Sequence, residues 1–240
     1  MDLNNLANKA RKILPVKYCG AVIVAAGNAS RMGGIDKVMA PLDGEPMLMR
    51  TVRTFAQCDV IREIVVVTRA DLQATVIGLC AGFDKVRSVV VGGSDRPASV
   101  QVGLDALSGQ VSLVAVHDGA RPLVTEQVID RTVRAAHTYG AAAPAVPVKD
   151  TIKVVKGGVV AATPDRSSLQ AVQTPQVFDL DLLKGALKKA SADGAVITDD
   201  CSAVENMGMS VKIVEGDEHN LKVTTPMDLK IAQALLEEKK

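Results

Sequence analysis

The run Gly20 to Val24 is wholly apolar and passes through Ala25 and Ala26 into a loop, Gly27 to Lys37, that carries Gly27, Gly33 and Gly34 and the cations Arg31 and Lys37. An apolar run halted by glycines reads as a strand covered on both faces, opening at its carboxyl end onto a backbone-lined anion site. Glycine supplies the positive φ that lets main-chain N–H groups face one point. The loop does not carry the dinucleotide fingerprint, because Ala29 and Met32 occupy its second and third glycine positions. It also lacks the Gly-Lys-Ser/Thr close of a P-loop. On these residues alone, a glycine turn flanked by two solvated cations accounts for the pattern as well as a phosphate site does.

The same device recurs down the chain. Glu63 to Thr68, Val86 to Val91 and Leu113 to His117 are further apolar, β-branched runs, and the last two break at Gly92-Gly-Ser-Asp-Arg-Pro and Asp118-Gly-Ala-Arg-Pro122. Between them lie segments with helical spacing. Pro46 opens one through Met47, Leu48, Val52 and Phe55, a weaker one ends near Cys80, Val100, Leu104 and Leu107 share a face of a third, and Thr125 caps a fourth that reaches Tyr139. Strands alternating with helices at this pitch predict an α/β chain with a doubly wound, mostly parallel, Rossmann-like sheet. Ligands of such sheets bind beyond the carboxyl ends of the strands. The breaks after Ala26, Val91 and His117 all fall there, so they are expected to converge on one cleft.

From Ala141 the rhythm changes. Two β-branched runs joined by Gly157-Gly158 predict a hairpin, and the stretch of about 141–165 is read as a protruding β-arm. A lone hairpin cannot bury its apolar face. Its cover is either the chain's own sheet or a second copy of the chain; the second copy is favoured, which makes a homodimer through the arm the expected assembly. Helices are expected over Asp179 to Ala190 and Asp199 to Met207, a strand over Ser210 to Glu215, and a closing helix after Thr225-Pro-Met-Asp228. Residues 1–17 are read as an amino-terminal extension and 18–240 as a single domain, consistent with 240 residues.

Charge and cysteines narrow the function classes. The net charge is +1 with both signs interspersed, which argues against a general nucleic-acid or membrane-surface partner. No uncharged apolar run is long enough for a membrane span, and the amino end lacks the apolar core of a signal peptide. Cys19, Cys58, Cys80 and Cys201 form no C-x-x-C pair, so free thiols in a reducing, cytoplasmic setting are expected. With two Tyr, three Phe and no Trp, the core must be built from aliphatic side chains.

The first loop, Ala-Ala-Gly-x-x-x-Arg-Met-Gly with a later Lys, resembles the signature of nucleotidyltransferases that couple an NTP to a sugar or sugar-alcohol phosphate. Taken with Gly92 to Val100, Val116 to Pro122, Pro164 to Gln176, Thr198 to Glu205 and Asn220 to Leu229, the chain resembles the 2-C-methyl-D-erythritol 4-phosphate cytidylyltransferase family over roughly Gly20 to Ala234. The resemblance implies that CTP and 2-C-methyl-D-erythritol 4-phosphate are joined, with release of pyrophosphate, in the non-mevalonate isoprenoid route. A divalent cation, Mg2+ or another, is implied as cofactor, held mainly by the CTP phosphates with Asp118 as a candidate ligand.

By the same resemblance, Arg31 and Lys37 stabilise the α-phosphorus and the leaving pyrophosphate, and Lys222 reaches the phosphates from the far side. Arg166, helped by Thr151, binds the alcohol phosphate from the neighbouring subunit. Ala25, Ala26 and Gly27 line the nucleotide, Gly93, Ser94 and Ser99 read cytosine, and Asp118 faces the ribose, the second substrate or the metal. Arg121, Thr174 and Thr198 are implied as further substrate contacts. His117 is expected to be a satisfied strand-end histidine, and Asp199 and Asp200 first-turn acids of a helix.

Two positions depart from the family pattern: Ala29 replaces a frequent glycine, and Asp36 replaces the proline that precedes the lysine. Two other readings compete with this one. One is a ribitol-5-phosphate cytidylyltransferase, with the same chemistry on a different alcohol. The other is a non-catalytic family member that only binds nucleotide.

Overall fold

The computed structural model describes residues 18–27 and 37–238. The extension 1–17 and the loop positions Ala29, Arg31, Gly33, Gly34 and Asp36 lie outside the described residues. Strand β1 (Cys19–Val24) is followed, beyond the first loop, by a 3-10 turn (Lys37–Met39). A small ribbon of β2 (Pro41–Leu42) and β3 (Glu45–Pro46) then leads into helix α1 (Met47–Gln57). Next come β4 (Ile61–Thr68), α2 (Gln73–Cys80), β5 (Val86–Val91), α3 (Arg96–Asp105), β6 (Leu113–Asp118) and α4 (Glu126–Tyr139). This is the alternation that the apolar runs predict.

β1 pairs in parallel with β4 on one side and β6 on the other, and β5 extends the parallel set beyond β4. The alternation of side chains along β1 explains its unbroken apolarity. Ala21 and Ile23 enter a core with Leu48, Val52 and Phe55 of α1 and Val128, Ile129 and Val133 of α4. Val22 enters a second core with Val100 and Leu104 of α3. Both faces are covered, so a polar side chain would find no solvent-facing position along the strand. Burying each Val or Ile here stabilises the fold by roughly 1.5–3 kcal/mol.

The second half completes the sheet with β7 (Ala141–Pro147), β10 (Gln170–Val172), β11 (Gln176–Asp179) and β12 (Lys212–Glu215). Helices α5 (Leu180–Ala192) and α6 (Asp200–Glu205) join the α3 face, and α7 (Pro226–Glu237) packs Ala232 and Leu236 with Leu42, Met47 and Val223. β11 runs antiparallel between β6 and β7. β10 and β11 follow one another along one side of β7, and β12 takes the other side in parallel.

Ala141–Pro147 is therefore a buried strand of the main sheet and not the root of a protruding arm. Its alanines suit a strand packed closely on both faces, and burial outweighs alanine's weak strand propensity. The hairpin itself is shorter than the 141–165 stretch: β8 (Val154–Lys156) and β9 (Val159–Ala162), turning at Gly157 and Gly158 with φ of +57° and +79°. Every residue of both strands is exposed. Among the described residues, no helix is long and apolar enough to cross a membrane.

Candidate active site

The parallel register brings the strand breaks together. Ala25 N–H donates to the Val67 carbonyl at 2.7 Å, Gly92 N–H to Thr68 at 2.8 Å and Gly119 N–H to Val24 at 2.9 Å, so the three chains leave the sheet side by side. Between them opens a cavity of about 220 Å³. Ala25, Ala26 and Gly27 form one wall, and Gly93, Ser94 and Ser99 another. Small residues are obligatory at this wall, because a Cβ on Gly92 would stand 2.5 Å from Ala26 Cβ and one on Gly93 2.5 Å from Ala98 Cβ. Asp95 caps α3 by accepting from Ala98 N–H at 2.8 Å. Ser99 is buried with its hydroxyl held inside the loop, donating to the Asp95 carbonyl at 2.8 Å and accepting from Gly93 N–H at 3.1 Å. It shapes the wall through Gly93.

The charged lining comes from four separate places. Lys37 follows the first loop, Asp95 and Arg96 stand at the start of α3, Asp118 ends β6, and Lys222 precedes α7. Lys222 Nζ lies 2.7 Å from Asp118 Oδ2, Arg96 Nε 3.5 Å from Asp118 Oδ1, and Arg121 Nε 3.8 Å from Asp118 Oδ2. Burial acts to raise the pKa of Asp118, but Arg96, Lys222 and Arg121 outweigh it and hold the carboxyl well below the usual carboxylate range. Arg96 also grips the buried Asp200 at 2.8 Å, whose carboxyl burial pushes up against the pull of Arg96. Cationic side chains outnumber carboxylates around this hollow, which suits a polyanion.

Lys37, Asp118 and Lys222 thus share one cavity, as expected, while Arg31 lies outside the described residues. Other expected contacts stand elsewhere. Thr174, expected as a substrate contact, is 4% exposed and does not line the cavity, its hydroxyl being bonded to His117 Nδ1 at 3.0 Å and to Asp118 N–H at 3.2 Å. Thr198 lines a separate small hollow with Pro97 and Asp199. Arg166 donates to the Lys149 carbonyl at 2.9 Å beside Pro147 and Leu169, and neither it nor the exposed Thr151 lines the cavity. Arg121 reaches the site only through Asp118, its Nη1 donating to the Asn220 carbonyl at 2.7 Å.

Sequence reasoning assigned no role to Arg96 and read Asp200 as a simple helix-start acid. The available signal was an arginine directly after the Asp95 cap at a strand-end glycine break. His117 behaves as expected: it is fully buried, partnered at both ring nitrogens, and burial drives its pKa down to about 3. All four cysteines are free and buried, and burial raises Cys58 and Cys80 to about 11, so no thiolate stands ready as a nucleophile. The chemistry on offer is charge stabilisation and positioning.

Residues 19–238 match the family model described as 2-C-methyl-D-erythritol 4-phosphate cytidylyltransferase (IspD). The protein of that name from Symbiobacterium thermophilum is 49% identical over 219 residues, covering 90% of this chain and 92% of its own length. Its namesake from Geobacillus kaustophilus is 46% identical, covering 90% and 96%. Among solved structures, 4-diphosphocytidyl-2C-methyl-D-erythritol synthase from Anaerococcus prevotii superposes with a TM-score of 0.85 at 31% identity, covering 93% of this chain and 100% of that one. The cytidylyltransferase from Thermus thermophilus superposes with a TM-score of 0.75 at 32% identity, covering 90% and 98%.

Proposed function

The chain belongs to the 2-C-methyl-D-erythritol 4-phosphate cytidylyltransferase family, and from that premise we propose that it joins CTP to 2-C-methyl-D-erythritol 4-phosphate, giving 4-diphosphocytidyl-2-C-methyl-D-erythritol and pyrophosphate for isoprenoid synthesis. An oxygen of the alcohol's phosphate attacks the α-phosphorus of CTP, the new P–O bond forms in line, and the bond to the β-phosphate oxygen breaks. The nucleophile is already anionic near neutral pH, so the enzyme's task is to align two polyanions and to stabilise charge on the α-phosphate and the leaving group. Lys37 and Lys222, with Arg31 from the first loop, carry that charge stabilisation. Ala25, Ala26, Gly27, Gly93 and Ser94 hold the nucleotide against backbone, with Ser99 fixing Gly93.

The observation that carries the reading is the meeting of Lys37 and Lys222 in one cavity at the carboxyl ends of β1, β5 and β6, with Asp118 paired to Lys222. Among the described residues no group of three His, Cys, Asp or Glu gathers that could hold a metal alone. A divalent cation held mainly by the nucleotide phosphates is the proposed cofactor, with Asp118, which lines the cavity, as the protein's carboxylate. When bound, the cation neutralises phosphate charge. The hairpin of β8 and β9 exposes Val154, Val155, Val159 and Val160 beside Ile152, which supports a homodimer in which the arm packs on a second copy. Arg166, with Thr151, then serves the partner's alcohol phosphate.

Pyrophosphate release is the direct test. The purified protein with Mg2+ should release it from CTP in the presence of 2-C-methyl-D-erythritol 4-phosphate, and far more slowly from ATP, GTP or UTP. Preference for ribitol 5-phosphate would reassign the alcohol, and absence of release with either would overturn the reaction.

A further inference from the structure

A set of buried polar groups behind the cavity closes into a ring. Asp118 N–H donates to Thr174 Oγ1 at 3.2 Å, Thr174 Oγ1 lies 3.0 Å from His117 Nδ1, and His117 Nε2 lies 3.3 Å from the Arg121 carbonyl. Arg121 Nη1 donates to the Asn220 carbonyl at 2.7 Å, and Asn220 Nδ2 donates to the Thr174 carbonyl at 2.9 Å. His117 and Asn220 are fully buried. The ring joins three segments remote in sequence: the end of β6, the link between β10 and β11, and the loop that carries Lys222.

Its polarity follows from the acceptors. A carbonyl oxygen only accepts, so His117 Nε2 must bear a proton. Burial keeps the imidazole neutral, with a pKa near 3, so Nδ1 carries a lone pair and takes the Thr174 O–H. The Thr174 oxygen is then free to accept from Asp118 N–H. This tautomer satisfies both ring nitrogens and the Thr174 hydroxyl, and the other would set Nδ1–H and Asp118 N–H on the same hydroxyl while leaving the Arg121 carbonyl without this donor.

Taking the transfer reaction above as given, we infer that Thr174 and His117 are positioning residues for it: they fix the backbone of Asp118 and, through Arg121 and Asn220, the loop bearing Lys222. The Lys222 side chain is 40% exposed and meets Asp118 at 2.7 Å, so its aim depends on that loop. Val223 N–H donating to the Ala120 carbonyl at 2.8 Å secures the loop one residue further on. A shift of about 1 Å at the phosphates can cost on the order of a hundredfold in rate.

Thr174→Val removes the hydroxyl and keeps the shape. It should lower kcat at least about tenfold per folded molecule, with KM for CTP changed less than about threefold, and Thr174→Ser should recover the loss. Long-range 1H–15N correlation of the wild-type protein at pH 7, without substrate, should show His117 as the Nε2–H tautomer, and Thr174→Val should keep that tautomer while shifting the Nδ1 resonance as it loses the Thr174 O–H. An Nδ1–H or doubly protonated ring in the wild type overturns the inference, as does unaltered kcat in Thr174→Val. Should that variant not fold, the wild-type tautomer decides. A wild-type protein inactive with every alcohol phosphate overturns the reaction instead, and the tautomer still reports on the ring.

Discussion

Asp118 stands among Arg96, Arg121 and Lys222, and without it those cations would repel one another in a partly dried hollow. The carboxylate anchors them while leaving their net charge positive. Lys222 is 40% exposed and Asp118 keeps Arg96 and Arg121 when it is lost, so Lys222→Ala should leave the thermal midpoint within about 4 °C of wild type, the scale of roughly 1 kcal/mol in a chain of this size. Turnover, read as pyrophosphate release, should fall about a hundredfold, the scale of losing one preorganised donor to the transition state. Equal turnover would remove Lys222 from the site. His117 makes a different prediction. Its folded pKa of about 3 lies below the unfolded value near 6.5, so the unfolded chain binds more protons between them. The contribution of His117 is fully present above about pH 6.5 and is lost as pH falls toward 3, at up to roughly 1.4 kcal/mol per pH unit. Urea midpoints at pH 7.5 and 5.5 should drop accordingly in the wild type, and the drop should shrink in His117→Asn. Asp200, raised by burial, acts in the opposite sense in both proteins and so cancels in the comparison. Lys37, Asp118 and Lys222 were legible because each borders a recognisable motif. The Arg96 and Asp200 pair was not, because its members are 104 residues apart and only the folded sheet joins them.

At the level of elements, what was legible is what local chemistry alone specifies. α7 is an example: Thr225 Oγ1 accepts from Asp228 N–H at 3.2 Å, and Asp228 Oδ2 accepts from Thr225 N–H at 2.8 Å, the reciprocal cap that Thr-Pro-x-Asp announces. Thr225→Ala should cost about 1 kcal/mol, seen as a lower urea midpoint with unchanged slope, and Thr225→Ser should be near neutral. No change in Thr225→Ala would mean that packing of Leu236 and Ala232 alone holds the helix. The parallel strands were likewise readable, since a strand covered on both faces must be apolar throughout. β7, β10 and β11 were not. Their residues take extended form because β6 and one another offer hydrogen bonds; β10 and β11, at three and four residues, carry no period from which to infer that, and the alanines of the seven-residue β7 carry little strand preference.

Across the whole molecule, the separation of Arg166 and Thr151 from the cavity gives the proposed homodimer a functional consequence. If the arm of one copy completes the site of the other, the residues needed for a single turnover come from two chains, and inactive variants can rescue each other. Lys222→Ala damages a site in its own chain, whereas Arg166→Ala damages the partner's. Co-refolding equal amounts of the two inactive variants places half of the chains in mixed dimers, in which one site carries both defects and the other carries neither. About a quarter of all sites are then intact, so activity should recover to about a quarter of wild type, well above either variant alone. Were Arg166 to act within its own chain, every site in the mixed dimer would carry one defect and no recovery would occur. Adding Val159→Lys to both variants places charge on the exposed apolar face of the hairpin. It should shift the sedimentation profile toward monomer and abolish the rescue together, since both depend on the arm.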